Sequence, residues 1–347
     1  AKKRHLTQEP RMKNISSRLP SGKQATASKK KVVYRVKNWA AYNQALVQRG
    51  TLTVWLSQEA VDGWRYGGPP QRGAQFYYSA LAIETALTFG TLFNLPLRQT
   101  QGFVQSLLGL MGLNLPAPDY STLSRRQAGL AVDLPVKPTG QPIHLVVDST
   151  GLKVYGESEW KVRQHGWTQR RTWRKLHLGI NADTGEVVAH TLTEAGRDDA
   201  SQIKPLLRQI PQAVARCYGD GAYDRWKVHR VLAYPPQGQP VPIEAVIPPQ
   251  CNAGERTAKR RYRHIQARNE RVRAIQRQGR KRWKKHIGYH RRSLAETGMA
   301  RYKRIIGPKL RARAFLRQQV EASIGCKILN RMTHIGMPEA YKVEVNA

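Results

Sequence analysis

The sequence has few cysteines, few acidic residues and no long uninterrupted apolar run. Its three cysteines, Cys217, Cys251 and Cys326, lie far apart and form no CxxC pair, which excludes a disulfide scaffold and a cysteine zinc site. The most apolar stretch, residues 77–97, is interrupted by Glu84, so we expect a core helix and no membrane partner. No secretion signal is visible, and together these features predict a cytoplasmic protein.

The sequence is rich in positively charged residues. The 347 residues include 59 Lys and Arg against 23 Asp and Glu, a formal net charge of +36. Such a surface repels itself unless a polyanion is near, which indicates nucleic acid. Residues 1–31 have almost no apolar side chains, so we expect a disordered basic tail. Residues 256–313 hold 22 Lys and Arg against two acids, and part of this run forms a basic insertion at about residues 250–288. A solvated basic face is the alternative to a folded nucleic-acid surface there.

Residues 32–138 predict an all-α region. Helices are expected at 77–93 and 98–111, and a third opens with Asp119 or Ser121 as its N-cap. Three short helices whose last one begins with polar and basic side chains are typical of a helix-turn-helix that reads the major groove. The candidate DNA contacts on that helix are Ser121, Thr122, Ser124, Arg125 and Arg126. An ordinary three-helix bundle explains the same pattern, but the net charge favours DNA binding.

Residues 139–347 change to an α/β pattern, which predicts a mixed sheet with flanking helices. A short buried strand, His144–Val147, is expected to end at Asp148. A hairpin signal at Asp183–Gly185 separates two strands. The remaining predictions are strands at 175–180, 186–190, 213–218 and 243–247, with helices at 200–210 and 223–232.

Two aspartates follow the predicted strands. Asp148 and Asp220 would lie at a rim of the sheet, where α/β proteins commonly build ligand sites. Glycine beside each of them would let a phosphate backbone approach closely. For either aspartate alone, capping of the next turn is the more common role.

A third acid belongs to a helical stripe. Tyr289, Arg292, Glu296 and Lys303 fall within roughly 60° of one another around a helix, provided that the helix runs unbroken past Gly298. One acid among three side chains that can bind phosphate is typical of a metal ligand beside a nucleic-acid strand. The alternative third acid, Glu321, has no such frame.

The spacing Tyr-(2)-Arg-(3)-Glu-(6)-Lys of residues 289–303 resembles the YREK signature of bacterial insertion-sequence transposases. With Asp148 and Asp220 upstream, the chain is similar to DDE transposases of insertion-sequence family five. The resemblance covers nearly everything after residue 32. It includes the segments 38–39, 62–64, 100–103, 120–125, 155–156 and 327–332.

This resemblance implies a ribonuclease-H-like core in which Asp148, Asp220 and Glu296 are the catalytic residues and hold two divalent ions. Three carboxylates repel one another unless a hard cation neutralises them, which suits Mg²⁺ or Mn²⁺. Two ions about 3.5–4 Å apart can activate a water or a 3′-hydroxyl and stabilise the leaving oxygen. The same site would hydrolyse the DNA end and then join its 3′-OH to target DNA.

Further residues are candidates for DNA contact. By resemblance, Tyr289, Arg292 and Lys303 hold phosphates at the transposon end. Other basic residues follow the first aspartate and are expected to line DNA, with solvated charge as the alternative: Lys153, Arg170, Arg171 and Arg174.

Several polar and aromatic residues receive a structural interpretation. Helix capping is expected for Asp198, Asp199 and Asp224. Packing or surface positions are expected for His165, His177 and His190, which lack metal-like spacing. Core packing is favoured over base stacking for Trp160, Trp167 and Trp173.

The sequence thus predicts a transposase whose partners are double-stranded DNA, both as terminal inverted repeats and as target, and at least one further copy of the chain. It is expected in the cytoplasm of a bacterium, associated with the nucleoid. The alternatives are a metal-dependent nuclease of the same fold without strand transfer and a catalytically inactive DNA-binding repressor.

Overall fold

The structure is a computed structural model that describes residues 31–70, 72–154, 173–236, 238–239, 242–257 and 262–345. The predictions made for residues 1–30, for the segment 155–156 and for several side chains lie outside the described residues. Those side chains are Trp160, His165, Trp167, Arg170 and Arg171.

The described part of the chain contains eight strands. They are β1 (Lys31–Val36), β2 (Ile143–Val154), β3 (Trp173–Asn181), β4 (Val187–Glu194), β5 (Val214–Tyr218), β6 (Glu244–Val246), β7 (Lys309–Leu310) and β8 (Ala340–Val345). Six of them form one mixed sheet in the order β4-β3-β2-β5-β6, and β7 pairs with β2. The pairs β4-β3 and β3-β2 are antiparallel, whereas β2-β5 and β5-β6 are parallel.

The same residues contain twelve α-helices. They are α1 (Trp39–Gln48), α2 (Leu52–Trp55), α3 (Gln58–Asp62), α4 (Ala80–Leu92), α5 (Leu97–Leu110), α6 (Tyr120–Gln127), α7 (Ile203–Arg208), α8 (Trp226–Ala233), α9 (Arg263–Gln278), α10 (Arg280–His286), α11 (Ser293–Ile305) and α12 (Phe315–Ile335). Three 3-10 turns cover Asp199–Gln202, Gly221–Tyr223 and Tyr289–Arg292.

The chain divides into two compact units. Residues 40–337 form the larger unit and contain the six-stranded sheet. In the smaller unit, β1 and β8 pair antiparallel along their whole length, from Lys31 opposite Val345 to Val36 opposite Ala340.

Local sequence signals placed most elements correctly. Helices α4, α5 and α6 confirm the three predicted N-terminal helices, and Asp119 is the N-cap, accepting from the backbone N–H groups of Ser121 and Thr122. The hairpin between β3 and β4 is confirmed, with Gly185 at φ +74°, a conformation that favours glycine. The expected mixed α/β architecture is therefore confirmed. Nothing in the packing tests whether α4–α6 act as a helix-turn-helix.

One strand differs from its prediction. We expected a short strand ending at Asp148, but β2 runs twelve residues to Val154, and Asp148 lies in its middle. Parallel pairing with β5 stops at Val146, whereas antiparallel pairing with β3 continues to Lys153. The long-range partner β3 extends the strand through a polar segment in which the local apolar signal has ended.

Helices pack on both faces of the sheet, and one of them, α12, also packs against the N-terminal helices. On one face, Leu145 and Val147 pack with apolar residues of α7 and α8. On the other, Leu176 and Leu178 pack with α11 and α12. Helix α12 also contributes to the core of the N-terminal helices, which contains Trp64, Phe89, Leu123, Ile324 and Ile328. The six-stranded sheet and the N-terminal helices of this unit are therefore connected through α12.

Within the described ranges, no single helix is long and apolar enough to cross a membrane. Helices α4 and α5 pass that test only when taken together, and they are bent by 109° at the break between them.

Candidate active site

The first candidate carboxylate, Asp148, faces helix α11. Side chains two residues apart on a strand share a face, and Val146 lies in one apolar cluster with Ala295 of α11. Leu178, directly opposite Asp148 on β3, clusters with Met299 and Tyr302 of the same helix. The side chain of Asp148 is 20% exposed, and its Oδ1 accepts from the backbone N–H of Ser149 at 2.8 Å. The strand therefore fixes this carboxylate against α11.

The second candidate, Asp220, lies two residues after the end of β5, as the sequence predicted. It is the N-cap of the 3-10 turn Gly221–Tyr223, and its Oδ1 accepts from the backbone N–H of Ala222 at 2.9 Å. Because β5 is the parallel neighbour of β2, Asp220 lies beside the middle of β2. The capping role predicted for a single aspartate is thus present here together with proximity to Asp148.

The third candidate, Glu296, lies in the first turn of α11. The predicted single helix from Tyr289 is instead a 3-10 turn over Tyr289–Arg292 followed directly by α11. The helix runs through Gly298 without a break. A Cβ on Gly298 would lie 2.2 Å from the Cδ1 of the buried Ile180, so glycine lets α11 approach β3 closely.

Arg292 connects two of these acids. Its Nη1 donates to Oδ2 of Asp148 at 3.2 Å, and its Nη2 donates to Oε1 of Glu296. The arginine side chain is 21% exposed and that of Glu296 is 58% exposed, so the group opens to solvent on the side of Glu296. One guanidinium thus bridges a strand and a helix that are far apart in the sequence.

Tyr289 completes the group. Its ring lies 6.5 Å from the ring of Trp283, and the ammonium of Lys284 lies 4.9 Å from the tyrosine ring centre. Trp283 itself is buried, so α10 supports the 3-10 turn that carries Tyr289 and Arg292.

The electrostatics show that the three acids face one another. Burial raises the pKa of Asp148, and the negative charges of Asp220 and Glu296 raise it further, while Arg292 opposes them. Burial also raises the pKa of Tyr289, and the same three carboxylates add to that shift. Four acidic groups from three separate segments therefore lie within electrostatic range of one another, where β2 and the end of β5 meet the start of α11.

No group of three or more His, Cys, Asp or Glu side chains is close enough to hold a metal ion in the part of the chain that the structure describes. Asp148 and Glu296 instead direct oxygens at Arg292. The predicted metal ligands therefore lie near one another without forming a closed ligand set.

The fourth member of the predicted stripe, Lys303, is exposed and lies about 10 Å along α11 from Glu296. Lys153 lies 5.6 Å from the ring centre of Trp173, and Arg174 donates to Oε1 of Gln318 at 2.9 Å. Arg174 also covers the ring of Phe315, so it contacts α12. DNA contact by these residues stays a prediction.

The candidate contacts on α6 have different environments. Arg126 donates to the carbonyl of Tyr78 and covers the ring of Phe76 at 3.7 Å, whereas Arg125 is exposed and donates to Thr122. Ser121 donates to Asp119, and Ser124 is half-buried. Their role in DNA binding stays a prediction.

The capping role expected for Asp224 is wrong, because Arg225 occupies the cap position of α8. Asp224 is almost fully buried and accepts from Nε2 of His229 at 2.8 Å and from both Nε and Nη2 of Arg268 at 2.9 and 2.8 Å. Gln250 donates its backbone N–H to the same carboxylate, and Arg271 donates to Nδ1 of His229.

We call this set, Asp224, His229, Arg268 and Arg271, the buried polar cluster. Burial alone would raise the pKa of Asp224, but the hydrogen bonds from His229 and Arg268 hold it well below its usual range. The cluster fastens α9 to α8, four residues after Asp220. Sequence reasoning missed it because Asp224 and Arg268 are 44 residues apart, and the only signal was an arginine at an otherwise apolar position of α9.

The remaining acids and histidines have structural roles. Glu321 accepts from the backbone N–H groups of Arg311 and Ala312 and is mostly buried, so it is not part of the acidic group. Asp198 caps a 3-10 turn as expected, whereas Asp199 pairs with Lys175 instead of capping.

For His177 and His190 the sequence left packing and a surface position open; His177 is buried and His190 is half-buried. His177 bonds to Thr193, and His190 bonds to Ser323. Trp173 packs beside Gly151, where an added Cβ would lie 3.1 Å from the indole.

Comparison with known proteins gives matches at the level of family and of structure. A family model described as "Transposase DDE domain" matches residues 139–331, and a second with the same description matches residues 47–157. A similar solved structure is the cryo-EM structure of a piggyBac transposase synaptic complex with hairpin DNA, at 10% identity and a TM-score of 0.36. That similarity covers 84% of this chain and 75% of the other, but a TM-score of this size does not establish a shared fold.

The family matches agree with the DDE resemblance of the sequence motifs, whereas the assignment to insertion-sequence family five stays a prediction. The first match alone spans more than half of the 347 residues. The chain therefore belongs to the transposase DDE domain family, a class of DNA-cleaving and DNA-transferring enzymes.

Proposed function

We propose that this chain is the transposase of a bacterial insertion sequence of family five. It binds the terminal inverted repeats of its element, cuts the DNA there and joins the free 3′-OH to target DNA. The observation that carries the proposal is the contact of Arg292 with both Asp148 and Glu296, with Asp220 beside them at the end of the neighbouring strand β5. Three antiparallel strands followed by two parallel ones are consistent with the ribonuclease-H-like core that the resemblance implies.

The chemistry of the acidic group fits a divalent cation. Its donors are hard carboxylate oxygens. Burial raises the pKa of Asp148 and the charges of Asp220 and Glu296 raise it further, and a bound cation would offset both effects. Asp148, Asp220 and Glu296 would hold Mg²⁺ or Mn²⁺, two ions per site. When bound, the ions supply Lewis-acid activation of the attacking oxygen and stabilise charge on the leaving oxygen.

The chain's own residues position the DNA. Asp148 pairs with Leu178 of β3, two residues beyond the part of β2 that is paired on both sides, so the strand positions its carboxylate. Arg292 suits bidentate contact with a phosphate, and Lys303 offers a point charge further along α11. The phenol of Tyr289 is protonated at neutral pH, and burial and nearby negative charge raise its pKa further, so it would be available to donate to a phosphate oxygen.

Binding of the element ends involves more of the surface. We assign recognition of the terminal repeats to the region 32–138, with Arg125 on α6 as an exposed candidate. Two ends must be held at once for joining, so the working form is at least a dimer. The positive charge of α9 and α10 offers sequence-independent attraction to both element and target DNA. Such a protein would work on the nucleoid in the cytoplasm.

A strand-transfer assay tests the proposal. Purified protein is given a labelled duplex that ends in the element's terminal repeat, a supercoiled plasmid, and either Mg²⁺ or EDTA. Joining of label to plasmid only with Mg²⁺ is the expected result. Metal-dependent nicking without joining would indicate the plain nuclease, and binding without either product would indicate a repressor.

Matched variants test the assignment of the acids. Asp148→Asn, Asp220→Asn and Glu296→Gln should each abolish cleavage while leaving binding of the duplex largely intact. Glu321→Gln is the control, because its carboxylate only accepts backbone N–H groups within the fold. Cleavage by Glu296→Gln together with its loss in Glu321→Gln would show that the third acid is misassigned.

A further inference from the structure

Arg292 occupies the place where the acidic group would bind a cation. Its guanidinium donates to Asp148 and to Glu296 with two different nitrogens, Nη1 and Nη2. These two acids belong to β2 and to α11, and no other Lys or Arg of the described residues makes an ion pair with either of them.

This contact is incompatible with full use of the same oxygens by a metal ion. An oxygen that accepts an N–H from a guanidinium directs its lone pair at one positive charge, and a second cation on that oxygen would repel the first. In the arrangement seen here, the guanidinium of Arg292 neutralises Asp148 and Glu296.

The guanidinium is also reachable from outside. Its side chain is 21% exposed, and Glu296 beside it is 58% exposed. A DNA phosphate, like a carboxylate, presents two oxygens that can accept together from a guanidinium, and it carries the same single negative charge. A phosphate arriving at Tyr289 could therefore draw Arg292 away from Asp148 and Glu296.

We propose that Arg292 is an exchangeable counter-ion, which neutralises Asp148 and Glu296 until a DNA phosphate takes it over and frees both carboxylates for a cation. This inference rests on the proposed function, since it presumes that DNA and cation meet at this site. Arg292 is then a positioning residue that makes the two ligands cooperative. By thermodynamic linkage, DNA raises the affinity for the cation by the same factor as the cation raises the affinity for DNA.

The neighbouring arginine shows why this role falls on Arg292. Arg291 donates to Asp183 and to the carbonyl of Ala182, at the turn between β3 and β4. It is thus held by acceptors outside the acidic group. Of the two consecutive arginines, one anchors the 3-10 turn and the other is left to contact the acids.

Direct measurement of Mn²⁺ binding tests this. Free Mn²⁺ is followed by electron paramagnetic resonance with full-length protein, without DNA and with a pre-cut duplex ending at the element terminus, in the absence of target DNA. In wild type, the duplex should tighten Mn²⁺ binding by about five- to 150-fold, the usual range of coupling between two sites. In Arg292→Gln, Mn²⁺ should bind more tightly than in wild type without DNA, and the duplex should add less than about two-fold.

Two further variants control for charge and for folding. Arg304→Gln removes the same charge from an exposed position about 18 Å along the helix and should leave Mn²⁺ affinity close to wild type. Arg292→Lys keeps the charge but contacts one carboxylate at a time, so its Mn²⁺ affinity should lie between wild type and Arg292→Gln. If Arg292→Gln does not fold, this variant decides the question.

Two results would overturn the inference: Mn²⁺ affinity in the Arg292 variants equal to or weaker than wild type without DNA, or an equal gain for Arg304→Gln. The strand-transfer assay on wild type separates this failure from failure of the proposed function. Joining of ends by wild type with unchanged Mn²⁺ affinity in Arg292→Gln removes only the counter-ion role. Tighter Mn²⁺ binding by Arg292→Gln in a protein that joins no DNA retains the competition and removes the function.

Discussion

The buried polar cluster should control how firmly the basic helices α9 and α10 are attached. Asp224 is 1% exposed and Arg268 is 9% exposed, and they share two hydrogen bonds of 2.8–2.9 Å. Asp224→Asn leaves the guanidinium of Arg268 buried without its counter-charge. Breaking a buried pair in this way costs about 3–5 kcal/mol, a large part of the roughly 5–15 kcal/mol that stabilises a typical protein.

An exposed pair on the same helix provides the control. Arg273 and Glu255 form an ion pair in which the side chains are 55% and 39% exposed. Because water screens such a pair, Glu255→Gln should change the free energy of unfolding little. The comparison separates burial from charge, since each substitution converts one carboxylate that contacts an arginine of α9 into an amide.

Urea unfolding at pH 7 measures the two costs, and hydrogen exchange of residues 263–278 shows where the loss falls. The double variant Asp224→Ala with Arg268→Met should cost less than the sum of the single variants, because no unpaired charge remains. Equal small costs for Asp224→Asn and Glu255→Gln, with unchanged exchange in α9, would refute the reasoning. DNA cleavage should also fall in Asp224→Asn, because α9 and α10 lead directly into the turn that carries Tyr289 and Arg292.

Three further predictions concern packing and pH. Gly298→Ala should lower the melting temperature, because the new Cβ meets the buried Ile180. Gly102 lies at an exposed position of α5 with nothing within 4 Å of an added Cβ, so Gly102→Ala should instead stabilise the fold by up to about 1 kcal/mol. Asn330→Ala should cost about 2–5 kcal/mol in urea unfolding, because it leaves the backbone N–H and C=O of Val187 without their buried partners. Burial lowers the pKa of His177 and of His190 to about 4, whereas a histidine in the unfolded chain has a pKa of about 6.5. Between these two pH values the unfolded chain binds protons that the folded chain does not bind. The free energy of unfolding should therefore fall as the pH drops from 6.5 towards 4, by about 2 kcal/mol per histidine at pH 5, and constant stability between pH 7 and pH 5 would contradict this.

The sequence predicted the elements whose signals are local. Apolar periodicity and the cap at Asp119 placed α4, α5 and α6, and the turn at Asp183–Gly185 placed the hairpin. Asp220 could be placed at a strand end because the apolar run of β5 stops just before it. Each of these signals lies within a few residues of the feature that it predicts.

The misplaced features all depend on distant partners. The polar second half of β2 is a strand only because β3 pairs with it, and β3 begins after residues 155–172. Asp224 was predicted to cap a helix because nothing in the sequence identifies Arg268 as its partner. Arg268 belongs to a basic run for which a solvated surface was the alternative interpretation. Gly298 looks like a weak point of its helix, although the approach of Ile180 requires a residue without a side chain there.

Spacing in the sequence predicts only one of the two contacts that Arg292 makes in the candidate site. Its pairing with Glu296 is an i, i+4 contact on consecutive helical turns, and such a contact can be read from the sequence. Its pairing with Asp148 cannot, because that distance is set by β2 and α11 packing through Val146 and Ala295. The contact with Asp148 changes how the contact with Glu296 is interpreted. An arginine on Glu296 alone is an ordinary surface pair, whereas one that also pairs with Asp148 neutralises two carboxylates from distant parts of the sequence.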